Sequence, residues 1–279
     1  MENYKEESFG DLNEILHYLL KLRLPDDKEK NNVFWSFRGQ RNHEWHLSIK
    51  HHSVGTPTTD ANDDTENDKY DKWFSQYKKR MLHSREHDYL SENGKNPWWW
   101  LFYAKHHYLQ TRLLDWSSNP LVAIYFAVEN IISHNSLYPL KDKEIGGAVW
   151  ALKVSDKHFR AAEDLITKHK LYPSSGHTMD ENEWFMINPE PVSQRIVLQS
   201  GKFTYHPGKG IKGIDEMERR KGEKPSDNEE LIKIRIDPDY NDKIRKQLGI
   251  MNIHHASLFP SPTGIAHFVN SEWPDIASY

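Results

Sequence analysis

The sequence predicts an α+β fold: a single domain in which a mixed or antiparallel β core is flanked by helices. Three observations predict it. Some segments carry apolar stripes at helical spacing, others alternate with period two, and no internal repeat or Pro/Ser-rich linker splits the chain. At 279 residues and 33.0 kDa the chain is long enough to bury a substantial core. The same reading divides it into an N-terminal helical segment at 1–30, a main domain at 31–270 and a tail at 271–279.

Residues 8–22 read as an amphipathic helix, with Ser8 as its cap, Asp11 in the first turn and a stripe of Leu12, Ile15, Leu16, Leu19 and Leu20. Pro25 and the charges after it end that helix. Val33 to Gly39 reads as a strand, with Val33, Trp35 and Phe37 on one face and Phe34, Ser36 and Arg38 on the other. Residues 53–68 are polar, lack apolar periodicity and read as a mobile loop. A second helix carries Tyr70, Trp73, Phe74, Tyr77 and Met81, and a third, buried on several sides, runs from Trp98 to His107. Asn119-Pro120 opens another helix, with proline in its first turn and Leu121, Ile124, Tyr125 and Val128 turned inward. Beyond Gly146 the period becomes two, Ala148, Trp150, Leu152 and Val154 alternating with Val149, Ala151 and Lys153. Residues 195–205 and 231–236 read as further strands and 207–229 as a second mobile stretch. The chain then reads as a helix at 239–248 and an apolar-aromatic stretch at 256–269.

Composition removes several classes of function. Hydrophobic residues at 37% and charged residues at 28%, with no apolar run near the ~18 residues of a spanning helix, argue against a membrane or fibrous chain. The polar, acidic start MENYKEESFGD is unlike a signal or transit peptide, so a cytoplasmic location is expected. Lys+Arg 37 against Asp+Glu 41 gives −4, which speaks against a surface-wide nucleic-acid footprint but allows a local basic patch. Without cysteine there is no disulfide, no thiol nucleophile and no thiolate zinc site. Ten tryptophans point to a core or cleft built on large rings.

Chemistry-bearing residues concentrate between Ala104 and Ala127. His106, His107, Arg112, Asp115, Ser117 and Ser118 lie there between apolar elements, just before a helix N-terminus, where free N–H groups and the helix dipole favour anions. Arg112 and Asp115, three apart, suit an internal ion pair, and Ser117 or Ser118 suits the helix cap. Arg38 ends an aromatic strand before Gly39, a costly place for a charge without an anionic partner, which is either a carboxylate such as Asp115 or a ligand phosphate. On the predicted strand over 195–205, Arg195 and Gln199 share a face, Gln199 either binding a ligand or satisfying loop backbone. His83-Ser84-Arg85-Glu86-His87 matches H-x-x-E-H, yet no third ligand is identifiable, and no metal site is assigned. Glu181-Asn182-Glu183 sits in an acidic, solvated stretch, and phosphate-binding glycine loops are missing.

Phe37-Arg38-Gly39-Gln40, Trp45 and Leu47, followed by Ala104, His106, His107 and the run Thr111-Arg112-Leu113-Leu114-Asp115-Trp116, resemble the FRG domain family. Asn119-Pro120-Leu121, Ala123 to Ala127, Arg195, Gln199, Gly201, Phe203 and Leu258-Phe259-Pro260 extend the resemblance over about residues 10–270. The family pattern reads A-Q-H-x-G-L-P-T-R-L-L-D-W. This chain departs from it with Lys105 at the Gln, Tyr108 at the Gly and Gln110 at the Pro.

A more distant resemblance is to the ADP-ribosyltransferase layout: a strand-end Arg, a Ser-rich turn opening a helix, and a polar residue on a later strand. It implies Arg38, Asp115, Gln199 and His106 as catalytic residues and Arg38, Arg112, His107, Ser117 and Ser118 as NAD-binding residues. It further implies NAD as a substrate, with no resident cofactor required, a protein or nucleic-acid acceptor, no membrane partner and a toxin or phage-defence role. Gln199 stands where that layout carries Glu, leaving Asp115 or Glu183 to supply a carboxylate. Two other functions stay open: a nucleic-acid-binding protein or nuclease using Arg38, Arg41, Arg112, Trp45 and Trp116, and a non-catalytic interaction domain.

Overall fold

The structure, a computed structural model, describes residues 4–23, 33–47, 74–81, 97–109, 111–129, 145–156, 158–159, 184–205, 214 and 230–273. The strands are β1 (Lys5–Phe9), β2 (Val33–Gln40), β3 (Leu113–Ser117), β4 (Ala148–Ser155), β5 (Phe185–Ile187), β6 (Gly201–Tyr205) and β7 (Leu231–Ile236). They form one sheet in the order β1-β7-β4-β2-β3-β6-β5, with β1 parallel to β7 and every other pair antiparallel. The helices are α1 (Leu12–Arg23), α2 (Pro97–His106), α3 (Pro120–Val128), α4 (Gln194–Leu198), α5 (Asn241–Ile250), α6 (His255–Leu258) and α7 (Pro262–Ser271), and residues 74–81 are also helical. This is the expected α+β architecture with a mixed sheet.

Alternation along the strands fills both sheet faces. Trp35, Phe37, Val149, Ala151, Ile232 and Ile234 pack against α1, α3 and α5 in one core cluster. On the other face Leu114, Trp116, Trp150, Leu152 and Val154 pack with Leu47, Met186 and Ile214. A third cluster joins α2 to Leu113, Phe203 and Tyr205, so Trp98 to Ala104 are buried around the whole helix. Two indoles of the sheet are satisfied: Trp116 Nε1 donates to Thr204 Oγ1 at 3.0 Å and Trp150 Nε1 to Gln40 Oε1 at 2.8 Å. Among the described residues no helix is long and apolar enough to cross a membrane.

Two sequence expectations are corrected. Residues 8–22 are not one helix: Ser8 belongs to β1, and α1 starts after Asp11, whose carboxylate accepts the Asn13 N–H at 2.8 Å. Residues 195–205 are not one strand. Ser193 Oγ caps α4 by accepting the Ile196 N–H, Ser200 takes φ 49°, and only then does β6 begin. The helix expected near 239–248 is present as α5, entered through a 3₁₀ turn at Pro238–Tyr240. The expectations for 53–68, His83, His87, Glu181 and Glu183 lie outside the described residues, as does that for 207–229 apart from Ile214.

Candidate functional site

The site grows from the three residues Phe37-Arg38-Gly39. Phe37 is fully buried in the core beneath α3. A Cβ on Gly39 would stand 1.9 Å from the Ala123 carbonyl oxygen, so glycine lets α3 lie directly on β2. Gly147 does the same for Ala127, at 2.1 Å from its carbonyl oxygen. Between the packed Phe and the contact Gly, Arg38 is held at the strand end. β2 and β3 pair at one position, Phe37 opposite Ser117. Arg38 Nη1 reaches across to donate to the Asp115 carbonyl oxygen at 2.8 Å and lies 3.8 Å from Asp115 Oδ2.

Parity along β3 turns Leu113, Asp115 and Ser117 toward the helical layer. There Lys105, in the last turn of α2, meets Asp115 Oδ2 at 3.0 Å. Burial pushes the Asp115 carboxyl upward, but Lys105, Arg38 and Arg195 outweigh it and hold the group below the usual carboxylate range. Burial pulls the Arg38 guanidinium down while Asp115 supports its charge, and Arg38 Nε is buried with no hydrogen-bond partner. Three cations thus surround one carboxylate whose side chain is 52% exposed. The local charge is net positive in a chain that is net negative.

Arg195, on α4, carries the aromatic part of the site. Its guanidinium lies 5.2 Å from the Tyr108 ring centre and 4.5 Å from that of Phe259. Tyr108 is 77% exposed and adopts φ 63°, a conformation costly for a bulky side chain. It occupies the place where the family pattern carries Gly, which explains that glycine and marks Tyr108 as a strained, solvent-facing ring. His106 Nδ1 lies 3.1 Å from Ser193 Oγ. Burial, His107 and Arg195 lower its pKa to about 4, so the ring is neutral at pH 7.

The serines act locally. Ser117 Oγ donates to the Gln199 carbonyl oxygen at 2.7 Å and accepts the Asn119 N–H at 2.9 Å, and Ser118 N–H donates to the Ser200 carbonyl oxygen. The α3 cap is Asn119, which accepts the Leu121 N–H, so neither serine fills that expected role. Gln199 ends α4, and its Nε2 donates to the Leu258 carbonyl oxygen at 3.1 Å.

The structure therefore brings Arg38 and Asp115 together, with His106 linked to them through the field of Arg195 and Gln199 joined to Ser117. The expected Arg112–Asp115 pair is corrected: among the described residues Asp115 pairs with Lys105 and Arg38, while Arg112 is buried just before β3. An odd spacing turns the two side chains to opposite sides of an extended chain. His107 is exposed and its ring lies 4.5 Å from that of Tyr103. Sequence reasoning missed Lys105, Tyr108 and Ser193 as members of the site, although the first two are where the chain departs from the family pattern.

Compared with known proteins, the chain matches one family model, that of the FRG domain, over residues 34–136, so an FRG domain is present. That span holds β2 beyond its first residue, Val33, together with α2, β3 and α3, and with Arg38, Lys105 and Asp115. No curated protein and no solved structure matches the chain.

Proposed function

We propose that this FRG-domain protein is an NAD-binding enzyme of the ADP-ribosyltransferase type, a transferase or an NAD glycohydrolase, serving as a toxin or defence effector. The supporting observation is the cluster of Arg38, Lys105 and Arg195 around Asp115, bordered by the rings of Tyr108 and Phe259. The cations suit a pyrophosphate, Arg38 and Arg195 as forked donors and Lys105 as a point charge. The rings suit a planar heterocycle.

In this reading the bond between C1′ of the nicotinamide ribose and the nicotinamide nitrogen breaks, and its electron pair leaves with nicotinamide. Ionised Asp115 stabilises the oxocarbenium-like centre, and water or an acceptor group adds at C1′ and releases a proton. Gln199, whose amide is engaged by the Leu258 carbonyl, orients the α4 turn rather than supplying charge.

The experiment is mass-spectrometric assay of NAD, nicotinamide and ADP-ribose with the full chain. Nicotinamide release that falls at least 100-fold in Asp115→Asn is expected (about 2.7 kcal/mol of barrier). No release by the wild-type chain contradicts the enzymatic reading. Nucleic-acid binding is the second reading, favoured by Arg41 lying 5.7 Å from the Trp45 ring centre. A salt-sensitive mobility shift with RNA or DNA, without NAD turnover, would select it.

A further inference from the structure

A second polar cluster lies at the far end of α3 from the capping Asn119. Tyr125 and Glu129 stand one turn apart there, His255 opens α6, His267 belongs to α7, and Glu272 follows α7. The Tyr125 hydroxyl donates to Glu272 Oε1 at 2.9 Å and lies 3.2 Å from His255 Nδ1 and 3.5 Å from Glu129 Oε1. His255 Nδ1 lies 3.4 Å from Glu129 Oε1, and the His255 N–H donates to Glu272 Oε2 at 3.0 Å. One ring nitrogen from each of His255 and His267 and one Glu272 oxygen lie within 4.8 Å of one another.

The cluster is rich in acceptors and short of positive charge. Glu272 is 4% exposed and the Glu129 side chain 9%, and the hydrogens offered to them are the Tyr125 phenol proton and the backbone N–H of His255, both uncharged donors. Arg245, whose charge reaches Tyr125, is already bonded to Asp242 at 2.7 Å. Two buried carboxylates without a full counter-charge are costly.

We propose that His255, His267 and Glu272 hold one divalent first-row transition-metal ion in a structural role, with Glu129 Oε1 beside them at 3.4 Å from His255 Nδ1. Two imidazoles and a carboxylate without thiolate suit zinc, manganese or iron(II), whereas calcium and magnesium prefer all-oxygen sites. The geometry permits it. Three donors separated by no more than 4.8 Å lie at most about 2.8 Å from a common centre, so each moves by about 0.7 Å or less to reach a bond of about 2.1 Å. Tyr125 holds Glu272 in place from outside the metal's own ligand set. The ion would clamp α6 to α7, and the Tyr125 hydroxyl ties that pair to α3 through Glu272. His255 also stacks on Phe259 with ring centres 4.3 Å apart, and Phe259 underlies Arg195. The clamp thereby fixes one wall of the site without depending on what that site binds.

The test titrates the chelator-treated full chain with Co²⁺ and then Zn²⁺, following visible absorption and calorimetric stoichiometry. One saturable ion per chain, with zinc displacing cobalt and raising the melting temperature, is expected. His267→Ala lowers the affinity at least tenfold. Glu272→Gln, which keeps an acceptor for Tyr125 and the His255 N–H, does the same. His17→Ala, at an exposed position on α1, leaves affinity unchanged. No saturable binding overturns the proposal, and so does equal affinity in wild type, His267→Ala and Glu272→Gln.

Discussion

Arg38 shows how one residue serves two purposes. Its guanidinium donates to a backbone carbonyl and supports Asp115 at 3.8 Å, yet Asp115 keeps a closer partner in Lys105 at 3.0 Å. Removing Arg38 therefore does not strand the carboxylate as loss of a sole buried partner would. Arg38→Ala is expected to lower stability by about 1–2 kcal/mol, measured by urea unfolding, below the ~3–5 kcal/mol of a broken buried pair. His106 gives a pH signature. Its folded pKa, about 4, lies below the ordinary 6.5, so the unfolded chain takes up the proton first. The stability held by the neutral ring is full above pH 6.5 and is lost as the pH falls toward 4, by no more than about 2 kcal/mol given the ring's partial exposure. An NMR titration with the His106 midpoint near 6.5 would contradict this.

At the scale of elements, contact between α3 and the sheet decides whether the site exists. Gly39→Ala drives a methyl group toward the Ala123 carbonyl and the Ala127 N–H, at 1.9 and 2.7 Å, where backbone cannot yield cheaply. A loss of at least about 3 kcal/mol is expected in thermal or urea melts. A neutral effect would show that α3 does not rest on β2. Elements with two-sided burial were legible. β2 and β4 alternate cleanly, and the Asn119-Pro120 start of α3 is a side-chain cap followed by proline. β1 was not legible because KEESF lies at the sheet edge with mostly exposed residues, and its partnership comes from parallel pairing with β7 and from Glu6 with Lys233 and Arg235. QRIVL looks like a strand by its β-branched residues, yet the Ser193 cap and the left-handed Ser200 make it one helical turn before β6. Local capping overrode propensity there.

For the whole molecule, the sheet order places residues from distant parts of the chain next to one another beside β3. The sequence marked Arg38 and Asp115 as partners because a strand-end Arg needs an anion, but Lys105 and Arg195 join them only through helix placement that no local pattern encodes. Tyr108 and Phe259 arrive in the same way, brought together by Arg195. The result is a positive cluster bordered by two rings on a chain of net charge −4, and it is this cluster that we propose binds NAD. Calorimetric titration of NAD into the full chain, repeated with Arg38→Ala and Arg38→Lys, tests it most directly. Saturable one-to-one binding is expected, weakened at least tenfold in the alanine variant and only partly restored by lysine, which keeps the charge without the fork. Absence of NAD binding by the wild-type chain, or equal binding by all three proteins, would contradict it.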